Sequence, residues 1–198
     1  MAESLISLIS VVALLLGSPG PAPIALAAVG ASFGVLRGLG FLLGILSGLA
    51  VAIIFSAFGL STPFVVYPQA KAIVQLIGGL YILYVAFKIA TAPVIGDVGK
   101  HDRAPVYMDG FILNLLNPKA YAAFLAIFSQ FLLPLENTSL ALLSTGLVCL
   151  FVASIVDAAW LVLGGAIRPI FGKPLQVRIL RLIFAALMIF AAAWAMFS

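Results

Sequence analysis

A helix-breaking run lies inside an apolar segment that is long enough to cross a membrane. The segment covers residues 5–33, and residues 17–23 within it read Gly-Ser-Pro-Gly-Pro-Ala-Pro. Proline and glycine release backbone N–H and C=O groups that hydrocarbon cannot satisfy, so irregular backbone at membrane depth persists only where protein or a wet cavity surrounds it. The run therefore predicts a broken helix with a substrate site at the break.

The composition is typical of a membrane protein throughout the chain. Hydrophobic residues make up 65% of the sequence and charged residues 8%, whereas soluble domains average about 25% charged residues. Stretches of about 20 apolar residues, the length of one membrane-spanning helix, follow one another with little polar sequence between them. An all-α integral membrane protein is predicted, with a single transmembrane domain over residues 1–198. Six spans are predicted at residues 5–33, 39–60, 72–91, 110–132, 139–165 and 179–197.

The two halves of the chain correspond in position. A polar loop at residues 93–108 separates halves at about 1–92 and 109–198, and Pro19 and Pro118 lie 99 residues apart, half of 198. Each half begins with a span that contains one of these prolines. Because each half has an odd number of spans, the two copies would enter the membrane from opposite faces. The sequence predicts two inverted three-helix repeats with broken first and fourth helices.

The distribution of lysine and arginine predicts the orientation, since cytoplasmic loops are enriched in these residues. The predicted spans place Lys71 alone on one side and eight basic residues on the other: Arg37, Lys88, Lys100, Arg103, Arg168, Lys173, Arg178 and Arg181. The second side is predicted to be cytoplasmic, with both termini outside. Topology and contact with anionic lipid thus explain the net charge of +4, and no nucleic-acid partner is predicted.

The second break carries polar and charged side chains into the fourth span. Residues 114–119 read Asn-Leu-Leu-Asn-Pro-Lys, and a lysine at the centre of a span costs roughly 2.5 to 3.5 kcal/mol unless it faces a partner or a wet cavity. Asp157 lies in the fifth span at a similar depth, about 12 Å from the cytoplasmic end against about 14 Å for Lys119. The two charges are therefore predicted to lie near each other.

Two interpretations of this charge pair stay open. In the first, the site binds a zwitterion: Lys119 and the N–H groups after Pro21 and Pro118 face a carboxylate, while Asp157 and the carbonyls of Asn114 and Asn117 face an ammonium. In the second, Lys119 and Asp157 form a structural ion pair.

Other residues are interpreted mainly as packing or lipid contacts. Tyr81 is a candidate to line a cavity, with core packing as the alternative, and Lys88 on the same helix face is predicted to reach the cytoplasmic headgroups. Gly40, Gly44 and Gly48 form a small-residue face that lets another helix approach closely and would also suit a homodimer. The single cysteine, Cys149, is predicted to be a core residue, and no metal or cofactor is predicted.

Three motifs resemble those of the lysine exporter (LysE/RhtB) family of amino-acid efflux proteins: the Gly-Ser-Pro-Gly-Pro run of residues 17–21, the Gly-Leu-Tyr-Ile-Leu-Tyr string of residues 79–84, and residues 110–120. The resemblance implies a bacterial inner-membrane exporter of amino acids or related metabolites that the proton gradient drives. It places the broken-helix motifs of the family on Pro19, Gly20, Pro21, Asn114, Asn117, Pro118 and Lys119.

One departure from the family pattern bears on coupling. Many members have an acidic or other polar residue at the position of Leu49, so Asp157 becomes the leading candidate to carry a proton. The predicted mechanism is alternating access by a secondary transporter, with a small-molecule substrate and membrane lipid as its partners. The alternative is a channel or a transporter for a different small solute or ion. An enzyme is not predicted, because the sequence has no cluster such as His-Glu-x-x-His.

Overall fold

The computed structural model describes residues 1–59, 68–91, 104–168 and 174–197. All regular structure in these ranges is α-helical. The helices are α1 Ala2–Gly17, α2 Pro21–Phe33, α3 Val35–Ala57, α4 Pro68–Ala90, α5 Tyr107–Leu115, α6 Pro118–Gln130, α7 Thr138–Ile167 and α8 Pro174–Phe197. Residues 93–103 of the predicted polar loop lie outside the described ranges.

Proline and asparagine set where several helices begin. Pro21, Pro68, Pro118 and Pro174 each stand at the first helical position, where the missing N–H has no intrahelical partner to lose. The Asn137 side chain caps α7 by accepting a hydrogen bond of 3.0 Å from Leu140 N. These start signals explain why α4 and α8 begin several residues before the apolar stretches that predicted them.

The first and fourth predicted spans are each two helices that meet at a sharp bend. Helices α1 and α2 are bent by 66° and α5 and α6 by 59°. Helices α3 and α7 are each long and apolar enough to cross a membrane, so the described residues contain up to four spans when each bent pair counts as one. The breaks predicted from proline and glycine are therefore confirmed, while the six-span inverted repeat remains a prediction.

The long helices pack along the broken ones. Helix α3 lies against both α5 and α6, and α7 lies against both α1 and α2. Glycine permits the closest approach: a methyl group at Gly44 would come 2.8 Å from Tyr107 C, and one at Gly48 would come 2.8 Å from Phe111 O. The predicted packing role of the glycine face is confirmed at Gly44 and Gly48. Because α5 covers Gly44 and Gly48, the part of the face that they form does not offer a surface for a second copy.

Buried apolar side chains form two separate clusters. The first joins α2, α3, α4, α5, α7 and α8 and includes Val29, Phe41 and Leu161. The second joins α1, α3, α6 and α7 and includes Val12 and Phe124. Along both α3 and α7 the clusters meet at the depth of the two breaks, so each break lies between two apolar cores.

Candidate functional site

A small cavity that both polar and apolar side chains line lies between the two helix breaks. Its volume is about 20 Å³, which is room for about one water molecule. The described residues that line it come from α1, α2, α3, α5, α6 and α7 and from the second break. They are Leu16, Ala22, Pro23, Leu49, Asn114, Asn117, Lys119, Ala120 and Asp157. The structure thus brings Lys119, Asp157 and both asparagines of the second break to one cavity.

Lys119 connects the second break to the first. Its Nζ donates hydrogen bonds to the Ser18 carbonyl oxygen and to Ser18 Oγ, each at 2.8 Å. Gly20 makes room for this side chain, because a methyl group there would lie 3.1 Å from Lys119 Nζ and 3.3 Å from its Cδ. The lysine is therefore held by one break while it belongs to the other.

Asp157 faces the same cavity without a direct ion pair. The residue is 5% exposed, and none of the basic side chains in the described ranges lies within ion-pairing distance of its carboxylate. Lys119 and Asp157 therefore present opposite charges to one space without touching. The structural ion pair, the second interpretation above, is not formed in this conformation.

The oxygen atoms of Asn114 and Asn117 accept hydrogen bonds from other groups of the second break. Asn117 Oδ1 accepts a hydrogen bond of 3.2 Å from Lys119 N and so caps α6, and Asn114 Oδ1 accepts from Asn117 Nδ2 at 3.5 Å. The main-chain oxygens of Asn114 and Asn117 already accept from Asn117 N and Ala120 N, each at 3.1 Å. Each of these carbonyl oxygens thus has one lone pair engaged within the bent backbone, and their contact with a ligand ammonium remains a prediction.

Hydrogen-bond donors at the cavity suit an anionic group. Asn114 is 1% exposed, and its Nδ2 has no hydrogen-bond partner among the described groups. In the first turn of α2, Pro21 and Pro23 have no N–H, so Ala22 alone can offer a main-chain donor there. At the other break, Lys119 N and Ala120 N are bonded to Asn117. The prediction of free N–H groups after both prolines therefore reduces to Ala22.

Several predicted site residues shape the breaks without lining the cavity. Pro19, Gly20, Pro21 and Pro118 form the bends but are not among its lining residues. Tyr81 also lies away from the lining, and its hydroxyl donates to the Asp109 carbonyl oxygen at 3.3 Å. Tyr81 therefore contacts α5 and does not line this cavity, and its role as a cavity residue remains a prediction.

The sequence interpretation missed a partly buried ion pair at the start of α5. Lys88 Nζ lies 2.5 Å from Asp109 Oδ2, and the same oxygen accepts a hydrogen bond of 2.8 Å from Val106 N. Asp109 is 8% exposed. Lys88 thus binds a carboxylate on another helix, where the sequence predicted that it would reach lipid headgroups.

A second missed residue is Arg181 on α8. The sequence predicts it among the basic residues of the cytoplasmic side, which topology and contact with anionic lipid explain, yet it is 2% exposed. Its Nη2 donates to the Ser32 carbonyl oxygen at 3.3 Å, and its guanidinium lies 5.7 Å from the centre of the Phe33 ring. A cation at the C-terminal end of α2 is favourable, because unpaired carbonyls give that end a partial negative charge.

Comparison with known proteins places the chain in a recognised group. The model of the family described as LysE type translocator matches residues 13–198. A protein of Vibrio cholerae serotype O1 (strain ATCC 39315 / El Tor Inaba N16961), described as an uncharacterized membrane protein, is 24% identical over 143 residues, which cover 70% of each chain. No solved structure matches the chain.

Proposed function

Because the chain belongs to the LysE type translocator family, we propose that it is a secondary transporter that exports amino acids or related small zwitterionic metabolites. The membrane would be the bacterial inner membrane, with both termini outside as the basic residues predict. One observation carries the proposal: a single cavity between two helix breaks presents the Lys119 ammonium and the Asp157 carboxylate without pairing them.

The two charges suit the two ends of an α-amino acid. The substrate carboxylate would bind the Lys119 ammonium and the Asn114 amide nitrogen, and the substrate ammonium would bind the Asp157 carboxylate. Lys119 now binds Ser18 instead. Substrate binding would therefore exchange the two Ser18 hydrogen bonds for bonds to a charged ligand, which are stronger.

The mechanism that we propose is alternating access. A cavity of about 20 Å³ is too small for an amino acid, since it holds about one water, so binding requires the two halves to separate at the site. The packing supports two inverted repeats. Helix α3 of the first half packs against the broken helix of the second half, and α7 of the second half packs against the broken helix of the first. Such repeats rock about a site at the middle of the membrane.

Asp157 is proposed as the proton carrier. It is buried at the cavity and has no basic partner at ion-pairing distance among the described residues, so its charge is not committed to a structural pair. Among transporters, acidic side chains inside the membrane commonly relay protons. Binding of a proton and binding of the substrate ammonium to one carboxylate would exclude each other, which is the behaviour that an antiporter requires.

Transport into everted membrane vesicles or proteoliposomes tests the proposal. Radiolabelled amino acids, pooled by side-chain class, are supplied outside vesicles with an acidic lumen or with no pH gradient. We expect accumulation of one pool that depends on the gradient. Lys119→Ala should abolish it. Asp157→Asn should abolish the gradient dependence and weaken exchange of labelled for unlabelled substrate, because it removes both the proton site and the charge that binds the substrate ammonium.

Arg37→Ala is the matched control, since Arg37 is an exposed cation outside the cavity lining. It should transport as the unaltered protein does. Failure of every pool to accumulate would contradict an amino-acid exporter. Full activity of Lys119→Ala would contradict the binding site, and unchanged accumulation by Asp157→Asn would contradict its role in coupling.

A further inference from the structure

The charges at the cavity limit which substrates can bind. Of the nine lining residues in the described part of the chain, one is cationic, one is anionic and two are asparagines. The others are apolar: Leu16, Ala22, Pro23, Leu49 and Ala120. The cavity thus offers a partner for one negative and one positive group, and apolar surface for whatever remains of the ligand.

From this arrangement we infer that the site accepts α-amino acids with small uncharged side chains and excludes those with cationic or anionic side chains, and that Leu49 is a residue that sets this selectivity. The inference rests on the function proposed above, because it assigns Lys119 to the substrate carboxylate and Asp157 to its ammonium. With both charges used, a third charge on the substrate would have no opposite charge among the lining residues.

An unpaired third charge would be strongly disfavoured. Transfer of an ionised group from water to a low-dielectric site costs far more than a hydrogen bond recovers, unless a counter-charge is present. Transport of lysine or glutamate should therefore be at least about 100-fold less efficient than that of alanine, measured as kcat/KM. The small volume of the cavity adds a preference for side chains that need little expansion.

Leu49 is the lining residue at which a counter-charge can best be added. It is 4% exposed and lies on α3, whereas Lys119 and Asp157 belong to α6 and α7. Helix α3 is a continuous helix at this position, so a substitution changes the cavity wall and leaves both breaks intact. Leu16, Ala22 and Ala120 lie beside the bends, where a substitution would also change the local backbone.

The test compares alanine, lysine and glutamate as labelled substrates in proteoliposomes that contain the unaltered protein, Leu49→Asp or Leu49→Asn. We expect the unaltered protein to transport alanine alone. Leu49→Asp should gain lysine transport by at least about tenfold, because the new carboxylate pairs with the substrate side chain. Leu49→Asn matches it in size and polarity but not in charge, and should not gain lysine transport.

The outcomes separate this inference from the proposed function. Equal transport of lysine and alanine by the unaltered protein would overturn the selectivity while leaving an amino-acid exporter. Transport of none of the three, and of no other amino acid, would overturn the exporter itself. A Leu49→Asp protein that elutes as a single species in detergent but gains no lysine transport, or a gain shared by Leu49→Asn, would overturn the role of Leu49.

Discussion

Ser18 is the residue whose contacts most directly link the two breaks. Its hydroxyl donates to the Leu15 carbonyl oxygen at 2.9 Å while it accepts from Lys119 Nζ, and its own carbonyl oxygen accepts a second bond from the same ammonium. In the proposed mechanism Ser18 competes with the substrate carboxylate for Lys119. Removal of the hydroxyl should weaken the contact between Ser18 and Lys119 without abolishing it, because the Ser18 carbonyl oxygen remains as an acceptor.

Ser18→Ala should therefore bind substrate more tightly. Loss of one hydrogen bond to a charged group is worth about 1.5 kcal/mol, which corresponds to a KM for transport that is lower by about tenfold. The measurement is initial transport rate against substrate concentration in proteoliposomes. Ser129→Ala is the control, because Ser129 Oγ also donates to a carbonyl three residues earlier but has no lysine beside it. An unchanged or higher KM for Ser18→Ala would show that Ser18 does not compete.

Sequence reasoning located the charged residues of the cavity because their cost in a membrane makes them conspicuous. Lys119 and Asp157 stand out in apolar spans, and counting helix rise placed them at one depth. The same reasoning missed the Lys88–Asp109 pair, since both residues lie near the ends of their predicted spans. A charge at that depth can contact water or headgroups, so its position does not by itself predict a partner. It missed the burial of Arg181 for the same reason.

At the scale of the helices, glycine decides where α3 and α5 can touch. Gly40, Gly44 and Gly48 repeat every four residues along α3, but they are not equivalent. A methyl group at Gly44 would meet the main chain of Tyr107 and Phe111, whereas one at Gly40 would find its nearest heavy atom, Tyr107 N, at 3.9 Å. Only the first would force the helices apart, because a backbone atom cannot rotate away as a side chain can.

Gly44→Ala should destabilise the protein and Gly40→Ala should not. Overpacking of a tight contact costs about 1 to 3 kcal/mol, and we expect a lower midpoint of thermal unfolding for Gly44→Ala in detergent, followed by tryptophan fluorescence or by loss of the monodisperse species. Gly40→Ala should have the same unfolding midpoint as the unaltered protein, because its methyl group would make only an ordinary van der Waals contact. Equal effects of the two substitutions would contradict the close α3–α5 packing.

Apolar periodicity and turn residues predicted the helices well but their internal packing poorly. The prolines at positions 19, 21, 23 and 118 predicted both bends, because proline ends the helix before it and is accepted only in the first turn of the next. The partner of each helix face was not predictable, since Gly44 meets residues more than sixty positions later in the chain. Contacts between residues so far apart in the chain depend on the complete fold, and a local sequence pattern does not predict them.

The orientation of the whole molecule is a prediction from its basic residues, and accessibility labelling tests it. Glu136 is exposed between α6 and α7 on the predicted outer side, and Val106 is 52% exposed before α5 on the predicted cytoplasmic side. Cys149 is the single cysteine and is buried. A Cys149→Ala background therefore carries no other thiol and suits accessibility measurements.

In intact cells, a membrane-impermeant thiol reagent should label Glu136→Cys and not Val106→Cys, each made in that background. After the cells are lysed, both should be labelled, which serves as the control for reactivity. The reason is the excess of lysine and arginine on the Val106 side, since such residues are retained in the cytoplasm during insertion. The reverse pattern of labelling would contradict the predicted topology.

The contact of Gly20 with Lys119 links two positions that lie 99 residues apart. The lysine side chain occupies the space that a side chain at position 20 would fill, so the two sites cannot both carry large residues. In related proteins, a bulkier residue at the first position should accompany a shorter one at the second. Positions 20 and 119 should thus covary among related sequences, even though each belongs to a different half of the molecule.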